Sequence, residues 1–438
     1  MYRRTLARTL HAISASFPVL MLTGPRQVGK TTLLGMCAQG APRRYVTLDD
    51  LDARALAQSD PALFLQTWPA PVIIDEVQYA PQLFSAIKMQ VDRAQGNGQF
   101  WLTGSQKFQL MRGLTESLAG RVAIVDLLGL SQAELDGRAD ASKPFVPSAE
   151  WVAQARQHAQ PKPHSRNSPG RPKSFLPLEG GTERSEGFRG GLMAVFERIW
   201  LGAYPRLHTQ GEQAPLVRDV FYRSYIQTYI QRDVQDVLRV SDQTAFNRFL
   251  IAVAAHTGQL LNVASLARAA DIDHKTAKAW LSVLETSGLV YLLQPYHSNL
   301  SKRLVKAPKL YFLDTGLAAY LTRWPDAASL EAGAMSGALL ETWALSEVLK
   351  SYWHNGREAP LSFYRDADQQ EVDLIVEAAD TLYPVEIKKT ASPSHHAKRH
   401  FTVLDKLNKP VGPGAVLCFV ERDVPLSKEV TAIPFAYL

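Results

Sequence analysis

Cysteine is scarce in this chain: Cys37 and Cys418 are the only two among 438 residues. They sit too far apart for a zinc-ligand spacing or a disulfide framework, and they read as two buried thiols in a reducing compartment. Long apolar runs are lacking too. The stretch from Phe17 to Leu22, after the basic start Met1-Tyr2-Arg3-Arg4, is too short for the core of a signal peptide. Every richer segment is broken by Gly, Pro or charge before it reaches the roughly 20 apolar residues that cross a bilayer. The expectation is a soluble, cytoplasmic protein with no membrane partner. No internal repeat is visible, and His256, His354, His395 and His396 hold no ligand spacing, so they read as surface or satisfied core residues.

What is present begins with bulk. At 46% apolar residues the chain can bury two or three cores, which implies several domains. A net charge of +6 is compatible with a nucleic-acid partner and decides nothing alone. Pro18 to Leu22, Tyr45 to Leu48, Pro71 to Asp75, Gly98 to Thr103 and Val122 to Leu127 read as continuous apolar strands alternating with helices, the pattern of a parallel sheet covered on both faces. This unit is expected to close near residue 140. From Ala141 to Gly191 the composition shifts to Pro, Gly, Ser, Arg and Lys, and between Pro161 and Gly190 only Phe175, Leu176, Leu178 and Phe188 are large and apolar. Burial there cannot offset the entropy of ordering, so a flexible insertion or linker is expected.

Helical periodicity resumes at Met193. Ala264 to Ala270, a turn at Asp271-Ile272-Asp273, Lys275 to Ser287, and strands at Leu289 to Leu293 and Lys309 to Leu313 follow the order of a winged helix. In its second helix His274, Lys275, Thr276, Lys278 and Trp280 alternate with Ala277, Ala279, Leu281 and Leu284; the latter read as core, and His274, Lys275 and Lys278 are free to meet phosphate or base edges. DNA contact and simple packing between units both fit this pattern. An amphipathic helix from Gly337 to Tyr352 then leads into strands at Leu361 to Arg365, Glu371 to Glu377, Tyr383 to Lys388 and Gly414 to Val420, with a helix near His400 to Leu407.

Two stretches carry nucleotide chemistry. Gly24-Pro25-Arg26-Gln27-Val28-Gly29-Lys30-Thr31-Thr32 lies between a strand and a helix, where a phosphate loop must sit. Its glycines let successive N–H groups face phosphates, Lys30 reaches the β and γ oxygens, and Thr31 ligates magnesium. Val72-Ile73-Ile74-Asp75-Glu76 ends an apolar strand in two acids: Asp75 is expected to hold magnesium, and Glu76 to polarise the attacking water. Thr103 and Ser105 end a further strand at the same edge, either to sense the γ-phosphate or as a turn with a helix N-cap. Arg121 is a transition-state cation, supplied in cis or by a neighbouring subunit, or else a structural ion-pair member.

The motifs Gly24 to Thr32, Ile74-Asp75-Glu76-Val77-Gln78, Leu102-Thr103-Gly104-Ser105 and Leu118-Ala119-Gly120-Arg121 together resemble prokaryotic AAA-type ATPases. More narrowly, Gly202-Ala203-Tyr204-Pro205, Tyr229 to Val234 and Phe312 to Leu317 resemble the domain of unknown function that accompanies that ATPase. The resemblance spans nearly the whole chain except residues 141 to 190. It implies ATP binding and homo-oligomerisation.

Asp373, Glu386 and Lys388 fall on neighbouring strands as acid, then acid-x-lysine, which brings three polar groups to one edge. Glu341 on the preceding helix adds a fourth. This resembles the core of PD-(D/E)XK nucleases, whose two acids bind divalent metal and whose lysine stabilises phosphate charge. The alternative is an inherited fold in which these groups merely pair as ions. Glu371 and Lys389 read as solvated strand ends.

The reading is therefore α/β: a P-loop NTPase parallel-sheet domain (1–140), a flexible insertion (141–191), a helical and winged-helix domain (192–330) and a small restriction-endonuclease-like domain (331–438). Two functions fit: a DNA-associated ATPase coupled to a magnesium-dependent nuclease-like unit, or a nucleotide switch acting on a protein partner with a silent nuclease-like unit.

Overall fold

The computed structural model of the chain describes residues 1–40, 42–94, 96–105, 117–159, 184–230, 242–296, 307–366, 368–394 and 401–438. His395, His396, Gln231 to Val234 and the stretch 160–183 lie outside the described residues.

Helix α1 (Leu6–Ser16) leads into a sheet of β1 (Val19–Thr23), β2 (Arg44–Thr47), β3 (Val72–Asp75), β4 (Phe100–Thr103) and β5 (Val122–Asp126). All pairings are parallel and the strand order is β2-β3-β4-β1-β5. β1, β3 and β4 are buried throughout, because helices cover both faces; that coverage is why their sequences read as unbroken apolar runs. The helices are α2 (Lys30–Cys37), α3 (Leu51–Ser59), α4 (Pro61–Thr67) and α5 (Leu83–Ala94). Asp50 and Asp60 cap α3 and α4 by accepting from first-turn amides. Parallel pairing gathers Thr23, Thr47, Asp75 and Thr103 at one edge of the sheet, with Thr47 opposite Asp75 and Thr103 opposite Leu22.

The next stretch departs from expectation. Residues 141–159 are packed, not free: after the short helix α6 (Gln132–Leu135) and the extended segment through Phe145, helix α7 (Ala149–Ala159) lies against the C-terminal end of the chain. Phe145 is fully buried, the Tyr352 hydroxyl donates to its carbonyl at 2.7 Å, and Arg156 pairs with Asp423. Phe145, Trp151 and Val152 supply the apolar anchor of this segment.

The middle of the chain is helical: α8 (Arg184–Leu201), α9 (Ala214–Tyr225) followed by a π-helical turn at Ile226–Ile230, and α10 (Gln243–Ala255). Strand β6 (Gln259–Leu260), helices α11 (Val263–Ala270) and α12 (His274–Thr286), and strands β7 (Val290–Leu293) and β8 (Lys309–Phe312) come next. The three strands form an antiparallel sheet in the order β6-β8-β7. Short helices α13 (Thr315–Leu321) and α14 (Ala327–Ala332) close this unit.

Helix α15 (Ser336–Trp353) is not amphipathic. Its Leu339, Leu340, Trp343, Leu345, Val348 and Leu349 are buried, and so are Glu347 and Lys350, because other units surround it. Beyond it, β9 (Leu361–Arg365), β10 (Glu371–Ala378), β11 (Thr381–Ile387), β12 (Gly414–Cys418), β13 (Val424–Pro425) and β14 (Val430–Pro434) build a mixed sheet in the order β13-β14-β12-β11-β10-β9. A 3-10 helix at Thr402–Leu407 stands where a helix near His400 is expected. One apolar core runs from Leu20 and Leu22 through Phe249 and Leu284 to Val348 and Leu374, so the units share an interior. Among the described residues no helix is long and apolar enough to cross a membrane.

A buried histidine marks the junction. His208 donates through Nε2 to the Gly202 carbonyl at 2.7 Å, and burial pushes its pKa from 6.5 down to about 4. Protonation therefore favours the unfolded chain. Its contribution is complete above pH 6.5 and is lost as pH falls towards 4, a change of about 3 kcal/mol. Urea melts at a series of pH values across this window are expected to show that loss, and His208→Gln to flatten the slope. Equal slopes in both proteins would refute the assignment.

Candidate nucleotide site and carboxylate cluster

The loop between β1 and α2 curls because its glycine permits it. Gly24 has φ of 131°, and a Cβ there would lie 2.1 Å from the Leu127 carbonyl oxygen, so no other residue fits. The Lys30 ammonium lies across the loop, donating to the carbonyls of Gly24 at 2.9 Å and Pro25 at 2.8 Å. Arg26 is partly buried, Gln27 is exposed with φ of 61°, and Thr32 is exposed on the first turn of α2. Val28 is buried, and Gly29 forms the N-cap of α2. Backbone amides at a helix entrance beside a lysine make a cradle for phosphate.

Asp75 stands at the end of the neighbouring strand. The Thr31 hydroxyl lies 2.9 and 3.0 Å from its two oxygens, the Tyr45 phenol donates to it at 3.0 Å, and the Thr103 hydroxyl also donates to it. A carboxylate and a hydroxyl that meet in this way form the oxygen donor set a magnesium ion favours. Tyr45, half-exposed as a residue, holds its proton up to about 12, through the partial desolvation of its phenol first and then the Asp75 charge. Glu76 takes a left-handed backbone with φ of 54°, unusual for a residue with a Cβ. Its N–H donates to the Thr103 hydroxyl at 3.3 Å, and Gln78 and Ser105 both donate to its carboxylate. The strained backbone thus aims Glu76 beside Asp75 and Ser105.

Arg121 is not brought to this edge. Its carbonyl accepts from Val19 N–H at the start of β1, about 13 Å of strand away from Thr23. There it forms a two-point pair with Asp92 at 2.5 and 3.0 Å. The transition-state role in cis therefore has no geometry behind it. The sign of the residue was legible; the edge of the sheet was not.

A buried network sits behind the phosphate loop. Glu134 has Arg4 Nε 3.1 Å away and His354 Nδ1 3.3 Å away, and it accepts from Thr5 N–H at 2.8 Å and Ser131 N–H at 3.0 Å. Burial alone would raise its pKa, and Arg4 and His354 overcome this to hold it well below the usual carboxylate range. His354 is driven the other way, towards the neutral ring, chiefly by burial. The central unit also reaches the loop: Gly288, just past α12, has φ of 70°, and a Cβ there would meet Pro25 at 3.1 Å.

At the C-terminal sheet, the antiparallel register with Leu374 opposite Val385 sets Asp373 beside Glu386. Lys388 reaches Glu386 at 2.6 Å and Asp373 at 3.6 Å, and Asp373 accepts from Ile387 N–H at 2.9 Å. Burial first, then Asp373, pushes Glu386 up to about 8, and its Oε1 is buried with no hydrogen-bond partner. Glu341 is close by but engaged: Lys309 on β8 pairs with it at 3.0 Å and the Tyr311 hydroxyl donates at 2.6 Å. Glu371 is no solvated strand end, since it pairs with Lys309 at 2.5 Å, whereas Lys389 is exposed just past β11 and there pairs with Glu331 and Ser336. Among the described residues, no three His, Cys, Asp or Glu side chains converge closely enough to enclose a metal ion. The unpartnered Glu386 oxygen fits one nonetheless. On α12, His274, Lys275 and Lys278 are exposed, whereas Trp280 is buried edge-on against Phe246 and Phe249.

Two mycobacterial proteins, Mb2031c of Mycobacterium bovis and Rv2008c of Mycobacterium tuberculosis, are each 30% identical to this chain over 437 residues, 99% of it and 83% of their own length. The chain belongs to their family. Both relatives bear the name uncharacterized protein. Within this family member, residues 16–136 match an AAA domain, 193–328 a domain of unknown function (DUF8612) and 336–438 another (DUF4143). The N-terminal unit is thus an AAA-type P-loop ATPase domain. Similar solved structures include the Walker-type ATPase PABY2304 of Pyrococcus abyssi, 15% identical, with a TM-score of 0.41 over 73% of this chain and 95% of that one. The RuvB Holliday junction branch migration motor of Thermotoga maritima is 16% identical, with a TM-score of 0.28 over 66% and 88%.

Proposed function

We propose that this family member hydrolyses ATP with magnesium and works on DNA, as a homo-oligomer in the cytoplasm. The observation that carries the reading is the meeting of Thr31 with Asp75 beside a glycine-bent loop capped by Lys30. Magnesium, which neutralises phosphate charge when bound, would be held by Thr31 and Asp75. Lys30 steadies the β and γ oxygens, Glu76 orients and polarises the attacking water, and Ser105 holds Glu76 in place for that task. Arg121, half-exposed at the opposite edge, is available only to a neighbouring subunit. For DNA, support comes from the helix-strand-helix-helix-ribbon order of the central unit, which is that of a winged helix, with His274, Lys275 and Lys278 exposed on its second helix. ATPase rate measured with single-stranded, duplex and branched DNA tests the reading. Stimulation by one of these, with an affinity that falls steeply with salt, is expected; a rate indifferent to all three would remove DNA from the proposal.

The C-terminal cluster supports a nuclease-like site in which Asp373 and Glu386 hold a divalent cation and Lys388 steadies phosphate charge. Asp373→Ala and Lys388→Ala are each expected to lower magnesium-dependent DNA cleavage at least about a hundredfold. Lys309 favours a second reading. Its buried ammonium already neutralises Glu341 and Glu371, as a catalytically silent unit in a nucleotide switch would require. Wild-type protein that cuts no DNA form with magnesium or manganese would select that alternative.

A further inference from the structure

Arg4 stands just before α1, outside the ATPase sheet, yet it is 6% exposed and its guanidinium reaches the phosphate loop. One terminal nitrogen donates to the Val28 carbonyl at 2.8 Å. The other donates to the carbonyls of Leu128 at 2.7 Å and Gly129 at 3.2 Å, on the segment that follows β5. Its Nε lies 3.1 Å from Glu134, which in turn faces His354, the C-cap of α15, and His354 Nε2 accepts from Leu128 N–H at 3.3 Å. A single planar fork thus gathers the loop, the end of β5 and the first element of the C-terminal unit.

The Val28 contact matters because the Val28–Gly29 peptide is trans. A trans peptide directs its C=O and its N–H to opposite sides. Fixing the Val28 oxygen on Arg4 therefore fixes the direction of the Gly29 N–H, one of the amides that a phosphate would meet. Val28 is itself buried, so its carbonyl has no water to fall back on.

We propose that Arg4 is a positioning residue for the nucleotide: it sets the Val28–Gly29 peptide of the phosphate loop and, through Glu134 and His354, couples nucleotide binding to the packing of α15. This rests on the loop being the nucleotide site. Lysine at this position keeps a positive charge beside Glu134 but presents one compact ammonium, which cannot reach Val28, Leu128 and Glu134 together.

The test uses the full chain. Calorimetry with Mg-ADP, and ATPase kinetics, are run on wild type and Arg4→Lys, with hydrogen exchange of residues 345–355 in wild type with and without Mg-ADP. In folded Arg4→Lys, the Kd for Mg-ADP and the KM for ATP are expected to rise about tenfold with kcat changed less than about threefold, the mark of lost binding common to ground and transition states. In wild type, Mg-ADP is expected to slow exchange in 345–355, because coupling between two sites is reciprocal. Parental Kd and KM in a folded Arg4→Lys would overturn the positioning role. Unchanged exchange in wild type would overturn the coupling even if that variant fails to fold. Wild type that takes up no Mg-ADP or ATP would instead remove the nucleotide site, and the Arg4 role with it.

Discussion

Lys30→Ala is expected to lower ATP turnover at least about a hundredfold and to weaken nucleotide binding, while leaving the fold nearly as stable as before. In the folded loop Lys30 donates to the carbonyls of Gly24 and Pro25, and each such bond is worth on the order of 1 kcal/mol net. The larger loss is expected in turnover, because on the proposed function the same ammonium turns from those carbonyls to a bound triphosphate. The loss should appear in kcat/KM for ATP, and the urea midpoint should move little. Parental turnover in a folded Lys30→Ala protein would refute the site.

Glu134→Ala is expected to have the largest effect on stability, about 3–5 kcal/mol. Glu134 and Arg4 are both buried, so removing the acid strands a guanidinium with no charge partner and leaves the N–H groups of Thr5 and Ser131 without their acceptor. Glu134→Gln keeps the shape and one acceptor oxygen but not the charge, and it should fall between wild type and alanine. Urea unfolding of all three at neutral pH decides this. The charge also adds acid sensitivity. Because the folded carboxyl is held below the usual range, its contribution is present above the ordinary pKa of 4.5 and fades as pH falls below it. A Glu134→Ala loss under about 1 kcal/mol would mean that the network is decoration.

Much of the ATPase unit was legible because its signals are local. The strands from Val19, Val72 and Phe100 are continuous apolar runs, and Gly24 to Thr31 are contiguous. The gathering of Asp373, Glu386 and Lys388 at one edge likewise followed from alternation on neighbouring strands, whereas the antiparallel direction of β10 and β11 was not read. What could not be read depends on partners far apart in sequence. Arg4 looks like part of a basic start, and only folding supplies its carbonyls at Val28 and Leu128. Lys309 and Tyr311 alternate on β8, a sign that they share a face, but nothing local points to Glu341 as their common partner. Helix α15 reads as amphipathic because Glu347 and Lys350 are charged. In the fold Lys350 pairs with Glu347 at 2.7 Å and donates to the Leu130 carbonyl at 3.1 Å, and Glu347 accepts from Gln132 N–H at 2.7 Å, so that polar face is interior. Arg121 shows the converse: a motif can place a charge beside a strand without saying which end of that strand faces the ligand.

Gly288 lies so close to Pro25 that a Cβ there would sit 3.1 Å from the proline ring, tight enough to push it aside. A loop that shifts to admit a triphosphate must therefore carry the end of α12 with it or break that touch. Movement of the phosphate loop would then pass to the central unit through this one glycine–proline contact, and a mutational scan for variants in which the two units no longer respond to each other should begin there.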